Sequence, residues 1–476
     1  MSGLGGIYDV TLTALRNHSR TLARLQEQAA SGARVVRASD SPGEAYEILS
    51  FLEQERSLAS LGKNAGRVTM DLEQASTALQ GVSDNLISVK QLLTQAASGT
   101  YGLRDRATIA AQIDIMIEDM VSLANTQSMG RSVFGGAATA TVPYSIQRAD
   151  GKITSVTYQG SYTAPSTPVA PQVEHTGLLV GVDVFGGSAS HKTPVFLGNT
   201  GAAAGTGTSS IRGDAYLTLT HEATAYGNFS GIVPGASSSD GDTILGLGHK
   251  LVLDADGRTV RLDDGPAVAF TDASVDLKLT NGAGDVAFVD MSGLDVGLTG
   301  TVDVTVASVG YMSLDDGLTT TAMTFTANQA VTDSRTGQTL YFNGSGVTRT
   351  GVEPIRVEGG YDLFGMLINI RDLLSNTRSL SAGEQGRLLG EAIASLDEVA
   401  TGVTHQMTSV GGRLSALDGL STDLKDMSDN ARQQADSIKD ADILEVAAGL
   451  ARTQTFYEMT LAASAKAMSV SLLDYM

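Results

Sequence analysis

The chain has no cysteine and no tryptophan, and only 5% of its 476 residues are aromatic. Without cysteine there is no disulfide framework, no thiolate metal site and no cysteine nucleophile. That absence suits a cytosolic protein and equally one exported unfolded, for which disulfides would be an obstacle. Positive charge is scarce: 32 Lys and Arg stand against 52 Asp and Glu, giving a net charge of −20, which argues against nucleic acid as a partner. No apolar run approaches the ~18 residues of a membrane span, so no membrane partner is expected. Met1 to Gly6 has neither a basic nor an apolar signal segment, so no cleaved signal peptide is expected. The six His are dispersed without ligand spacing. His221-Glu222-Ala223-Thr224-Ala225 opens like a zinc-protease motif but has Ala where the second ligand belongs. Asp254-Ala255-Asp256-Gly257 starts like a calcium loop, lacks its closing Glu, and reads better as a hairpin turn. No catalytic set, metal site or cofactor is read, and the chain is expected not to be an enzyme. The contrasting reading is an enzymatic or lectin-like site within 210–312.

What the chain has in abundance is heptads. Leu389, Ile393, Leu396, Ala400, Val403, Met407, Val410, Leu414 and Leu417 alternate in steps of four and three, and Leu424, Ala431, Ala435 and Ile438 keep the phase. That spacing puts one apolar seam on a long helix, with a capping box at Ser381 and Glu384. A second seam runs from Phe51 to Ala96 behind another capping box, Ser41-Pro42-Gly43-Glu44. Residues 7–30 and a stretch from Ile109 ending near Gly130 read as further helices. The phase slips at Lys439 to Asp442, which reads as a flexible joint. Beyond it Ile443, Leu450, Tyr457, Leu461, Met468 and Leu472 form one apolar face, and Leu444, Ala448, Met459, Ala462, Val470 and Leu473 a second. A helix apolar nearly all round belongs in an interior. Its counterpart at the other end carries Tyr8, Leu12, Leu15, Leu22 and Leu25. These eleven single-face positions are the expected assembly interface.

From Arg131 the heptad gives way to alternation and to Gly, Thr, Ser and Asp. Leu217–Thr220, Val275–Leu279 and Val302–Val306 have strand periodicity, and Asp256-Gly257 and Thr336-Gly337 signal hairpins. Gly201–Ser209 is low in complexity and reads as a linker. The fold class expected is α+β: a long antiparallel helical bundle or coiled coil made by both chain ends, with a β-rich central insertion. Four domains are drawn: 1–32 with 443–476 as a terminal coiled coil; 33–143 with 359–442 as the long bundle; 144–200 with 313–358 as a β-rich domain; and 201–312 inserted in it.

Several motifs resemble one family. Ser31-Gly32-Ala33-Arg34-Val35-Val36-Arg37-Ala38-Ser39-Asp40-Ser41-Pro42 is similar to the turn between the first two helices of flagellar axial proteins, with Ser31, Gly32, Arg34, Arg37, Ser39, Asp40 and Pro42 matching. Asn125 to Gly136 with Pro143-Tyr144 resembles a hook–filament junction pattern, with Ser132 in place of the usual aromatic. Tyr158-Gln159-Gly160, Val184-Phe185-Gly186, Tyr361–Leu374 and Ser471–Met476 are similar to later segments of the same family. The resemblance is to the junction-protein branch (hook-associated protein 3) of the flagellin superfamily; the alternative is a flagellin, the filament subunit. It implies a structural adaptor at the hook–filament junction, needed for motility and located in the extracellular flagellum. It also implies export by the flagellar type III apparatus. The implied partners are further copies of the chain, hook-associated protein 1, flagellin and an export chaperone.

Overall fold

The computed structural model describes residues 3–98, 101–187, 192–227, 230–295 and 297–473, with only the backbone of 3–8 and 467–473. The fold is α+β. The long helices are α1 (Gly3–Ser31), α2 (Pro42–Ala97), α3 (Leu103–Ala124), α6 (Leu363–Ser375), α7 (Ala382–Lys439) and α8 (Ile443–Leu473). Two single turns, α4 (Gly181–Phe185) and α5 (Ser238–Gly241), lie in the β-rich centre. The chain divides into two compact units. One comprises Met1–Thr69, Ser166–His175 and Arg413–Met476, and the other Met70–Pro165 and Thr176–Gly412. Helices α2 and α7 contribute to both.

The heptads form the helix cores. Ala65, Val68, Leu72, Ala75, Leu79, Val82, Leu86, Val89, Leu93 and Ala96 are all buried on α2. On α7 one of the two heptad series is buried from Leu389 to Ala431, while its companions Ile393, Ala400, Met407 and Leu414 are half-buried. Lys90 pairs with Asp397 and, in the other unit, Arg432 lies near Glu55, as antiparallel helices require. Gly81 lets α3 lie close to α2, because a Cβ there would come 2.9 Å from Leu123 Cδ1. The third helix is shorter than its sequence suggests. It stops at Ala124, and Gln127–Ser128 and Arg131–Ser132 pair across Met129 and Gly130, both at positive φ. A two-residue turn of this kind matches the twist of its strands.

The capping box at Ser41 is not completed, since the Glu44 carboxylate pairs with Arg34 at 2.9 Å. The one at Ser381 is half-formed, with Glu384 N–H donating to Ser381 Oγ. The break at residues 439–442 occurs where the phase slips, but it is clamped. Arg34 N–H donates to Lys439 O at 2.6 Å and Ala441 N–H to Gly32 O at 2.9 Å, around an Ala33–Asp440 bridge. The backbone bonding is a correction to the reading of this joint as flexible.

The central sheet is antiparallel throughout. Its strands run in the order Val268–Ala269, Thr259–Leu262, Gly246–Asp254, Thr301–Ser313, Gly213–Tyr226, Gly351–Val357 and Val195–Phe196, with Thr321–Ala322 beside Thr301–Ser313. The two longest strands, Gly213–Tyr226 and Thr301–Ser313, serve two cores. One gathers Tyr226, Leu251, Leu253, Val260, Leu262, Leu279, Val289 and Val304; the other Leu217, Leu219, Met312, Leu340, Phe342, Val347, Ile355 and Val357. Gly201–Ser209 is not a free linker. Ala203–Ala204 pairs with Phe342 and Asn343, and Asn328 Oδ1 accepts from Thr206 and Gly207 N–H. Gly201 passes so near Gly346 that a Cβ would lie 2.0 Å from its carbonyl oxygen. Small residues there permit close backbone approach, which composition alone does not distinguish from flexibility.

Candidate functional site

Three sets of residues stand out: the terminal helix pair, the connector between α1 and α2, and the place where the scattered motifs meet.

Helices α1 and α8 pack on one another, and the Cβ position of Gly449 lies 3.6 Å from the Leu25 methyls. This glycine has no heptad signature in the sequence. Leu12, Leu15, Leu22 and Leu25 are half-buried along one stripe of α1. On α8 Val446 is buried, and Leu450 and Tyr457 are half-buried. Ile443 is 64% exposed and Leu461 43% exposed, together with Leu444 (83%), Phe456 (46%) and Met459 (54%). The structure therefore splits the α8 positions: Leu450 and Tyr457 lie in the half-buried stripe, Ile443 and Leu461 outside it. Only the backbone is described at Tyr8, Met468 and Leu472, so their side chains lie outside the described residues.

The connector is built from its own side chains. Gly32 ends α1 at φ +69°, where only glycine is unstrained, and donates N–H to Gln28 O. Ser31 Oγ donates to Glu27 O and accepts from Ala33 N–H. Asp40 Oδ2 accepts from the Val36 and Arg37 N–H groups, closing the turn, and Arg37 reaches back to Glu27. Arg34 donates to Ile438 O and pairs with Glu44. Pro42 opens α2, where its missing N–H costs nothing. Ser39 is exposed. Below them Val35, Ile48 and Ala435 form a small core with Phe51 and Ile438.

The remaining motifs converge in the second unit. Phe134, Tyr144, Tyr158, Phe185 and Phe364, from five separate stretches, form one aromatic cluster with centroids 5.0–6.0 Å apart. Burial pushes the Tyr144 hydroxyl far above its ordinary range. Asn125 exchanges two hydrogen bonds with the Tyr144 backbone. The hairpin after α3 is fastened to α2 through Asp71, a buried carboxylate that accepts from Ser128 Oγ at 2.7 Å and Arg131 at 2.6 Å. Arg371 of α6 is buried and donates to Asp114 of α3 and to Ile153 O. Asp362 caps α6 by accepting from Phe364 and Gly365 N–H, and its burial raises the carboxyl to about 6.

The His221 side chain is buried, though the residue as a whole is half-buried, and it is bonded to Thr224 Oγ1, beside Asp242 and Ser308. Asp254 Oδ1 accepts from Gly257 N–H as a hairpin turn does. Asp315, fully buried, is pushed up by burial, but bonds from Ser334, Thr319 and Ser313 outweigh this and hold it below the carboxylate range. Among the described residues there is no cluster of His, Asp and Glu that could hold a metal ion, and no helix is long and apolar enough to cross a membrane.

Residues 6–139 match the bacterial flagellin N-terminal helical region. Flagellar hook-associated protein 3 of Escherichia coli K12 is 25% identical over 177 residues, covering 37% of this chain and 52% of that protein. The protein of the same name from Salmonella typhimurium LT2 is 24% identical over 195 residues, covering 40% and 57%. The chain thus spans about half the length of the curated relatives it matches. A crystal structure of Xanthomonas campestris FlgL, 17% identical, covers 80% of this chain and 98% of its own with a TM-score of 0.41. Over residues 6–139 the chain is thus similar to the bacterial flagellin N-terminal helical region, and over about 40% of its length to flagellar hook-associated protein 3.

Proposed function

We propose that the chain is a structural subunit of the bacterial flagellum, an adaptor at the hook–filament junction on which flagellin assembles, with no catalytic role. The observation that carries this reading is the terminal helix pair. Helices α1 and α8 cover one side of each other and leave Ile443, Leu444, Phe456, Met459 and Leu461 exposed, in a chain whose N-terminal region matches that of flagellins. Exposed apolar surface of this extent marks an interaction surface. We assign its cover to neighbouring copies, to hook-associated protein 1 and to flagellin, with Tyr8, Leu12, Leu15, Leu22, Leu25, Ile443, Leu450, Tyr457, Leu461, Met468 and Leu472 as the assembly set. In this reading the chain is extracellular, leaves by the flagellar type III apparatus, and is held by a chaperone on the way. The four-domain division drawn from the sequence is proposed here with the inserted β part narrowed to 227–305, since Ala203–Ala204, Leu217, Leu219 and Met312 join the other β core. The connector motif then sets the angle at which the terminal pair leaves the bundle.

The test is electron microscopy of cells lacking the chain. The expected result is a completed hook with no filament and flagellin released into the medium. Filaments of ordinary length and number would overturn the proposal, and loss of the filament protein itself would make the chain a flagellin.

A further inference from the structure

Helix α1 carries a line of arginines, Arg16, Arg20 and Arg24, in a chain whose net charge is −20. Residues four apart lie one above the other on a helix, so the three side chains leave it along a line of about 12 Å. They stand on the side of α1 away from Leu15, Leu22 and Leu25. All three residues are exposed, and among the described residues none has a side-chain hydrogen bond or ion pair. Like charges at this spacing disfavour a helix, so the line has no return in the single chain. We propose that this arginine line docks on Asp423, Asp426 and Asp429 of α7 in a second copy of the chain.

Charge, spacing and room for approach select that face of α7. The three aspartates are three residues apart, so they run along one side of the helix over about 9 Å, opposite the buried seam of Leu417, Leu424 and Ala431. All three are exposed, and among the described residues none has a side-chain partner. Other carboxylates of the long helices are already engaged: Asp71 by Arg131, Asp114 by Arg371, Glu118 by Arg148 and Asp397 by Lys90. Lys425 lies about 100° round the helix from Asp426, to one side of the row. Gly419, seven residues before Asp426 and therefore on the same side, is exposed with nothing within 4 Å of a Cβ, which leaves room for another helix to come close. Within one chain the two faces do not serve each other, since the arginines point away from the α8 contact and the aspartates away from the buried seam of α7. Each copy thus offers one face of each kind. The contact is head-to-tail, the type that closes into a ring or continues as a helical array. Complementary charge steers and registers such a contact, and salt weakens it.

The proposal rests on the assembly reading only in taking the chain to associate with copies of itself. The experiment is sedimentation velocity of the full chain, in a concentration series up to the solubility limit, at low and at raised ionic strength. It compares the wild type, Arg16→Glu/Arg20→Glu/Arg24→Glu, Asp423→Lys/Asp426→Lys/Asp429→Lys, the chain with all six changes, and the two triple variants mixed. All six positions are exposed, so the variants are expected to keep the wild-type circular dichroism. The wild type is expected to associate in a way that salt weakens, and each triple variant to associate at least about tenfold more weakly. Mixing the two triple variants, or combining all six changes in one chain, is expected to restore association, because the reversed faces again meet opposite charge. Three results would overturn the proposal: a wild type that stays monomeric throughout; association that neither reversal moves, placing the contact elsewhere; or association lost in each triple variant and restored neither by mixing nor by combination, so that these faces do not meet each other. Microscopy of cells lacking the chain bears on the flagellar reading alone, so the two fail separately.

Discussion

Single residues fasten the elements of this chain, and they do so through charge held out of water. Asp71 shows the point. Its carboxylate is almost wholly buried on α2, and Arg131 and Ser128 are its partners. Removing Arg131 leaves that carboxylate with Ser128 alone, and because Arg131 is itself partly exposed the loss is expected to be about 1–3 kcal/mol. Urea unfolding of Arg131→Ala is expected to show a loss of this size; a loss under about 1 kcal/mol would mean that Asp71 finds solvent. Asp362 behaves in the opposite sense. Its folded value of about 6 exceeds the ordinary 3.8, so the folded chain holds the proton more tightly than the unfolded one. Its contribution is greatest below the ordinary value and declines as pH rises through the folded one. Asn keeps the cap acceptor without the charge. Thermal midpoints of Asp362→Asn measured from pH 4 to 7 are expected to lack that decline, and an unchanged profile would remove Asp362 as its source. The Asp71–Arg131 pair was not visible in the sequence, because residues sixty apart are joined only by folding and no periodicity marks side chains that meet across it, whereas the Asp362 cap is local, with partners two and three residues on.

The helices, by contrast, were legible because burial repeats. Seam residues recur every three or four positions for the length of α2 and α7, so local sequence carries the information many times over. The connectors carry it once, which is why α3 ends earlier than its pattern implies and why Gly201–Ser209 has a linker's composition without being one. The terminal pair was legible in its stripes but not in its division, since α8 carries two apolar faces and local sequence does not say which of them meets α1. The glycines of α7 are a second case. Gly402, Gly411, Gly412 and Gly419 are exposed, and a Cβ at each would meet nothing within 4 Å. Each costs the helix about 1 kcal/mol against Ala with no packing return in the single chain. Changing all four to Ala is therefore expected to raise the unfolding free energy by roughly 0.4–1 kcal/mol for each residue, and the denaturation midpoint with it. A lower midpoint would show contacts at these positions in the free chain. If the raised midpoint comes with loss of motility, the glycines serve the assembled state.

At the scale of the molecule, the question is what each part does alone and what it does in company. The outer β core draws its buried residues from 226–306, and Tyr226 is paired with Val306 in register. Deleting 227–305 and joining the strand ends through Asn-Gly should close them as a hairpin, removing only Leu245 from the other core. Export and filament growth are expected to survive; secretion without motility would give the insertion a role of its own. The terminal pair is expected to behave conversely. Two helices sharing one face must offset an ordering entropy of about 1–2 kcal/mol per residue with little buried surface. Helix in α1 and α8 is therefore expected to be weak in dilute solution and to strengthen when neighbours cover the exposed side chains, each contributing on the order of 1.5–3 kcal/mol. Circular dichroism of the full chain against a 41–438 fragment measures this directly; full helix at both ends in dilute monomer would refute the coupling. Leu461→Asp separates folding from assembly. Leu461 is 43% exposed, so the aspartate remains hydrated in the free chain, whereas in a covered interface it would be an unpaired buried charge. The expected phenotype is a protein secreted at the wild-type level, with unchanged unfolding, on which no filament grows. Tyr457→Asp, in the half-buried stripe, is expected to weaken the α1–α8 pair itself. Filaments growing normally on Leu461→Asp would mean that this face stays open to water in the flagellum, and the assembly surface would have to be sought elsewhere on the chain.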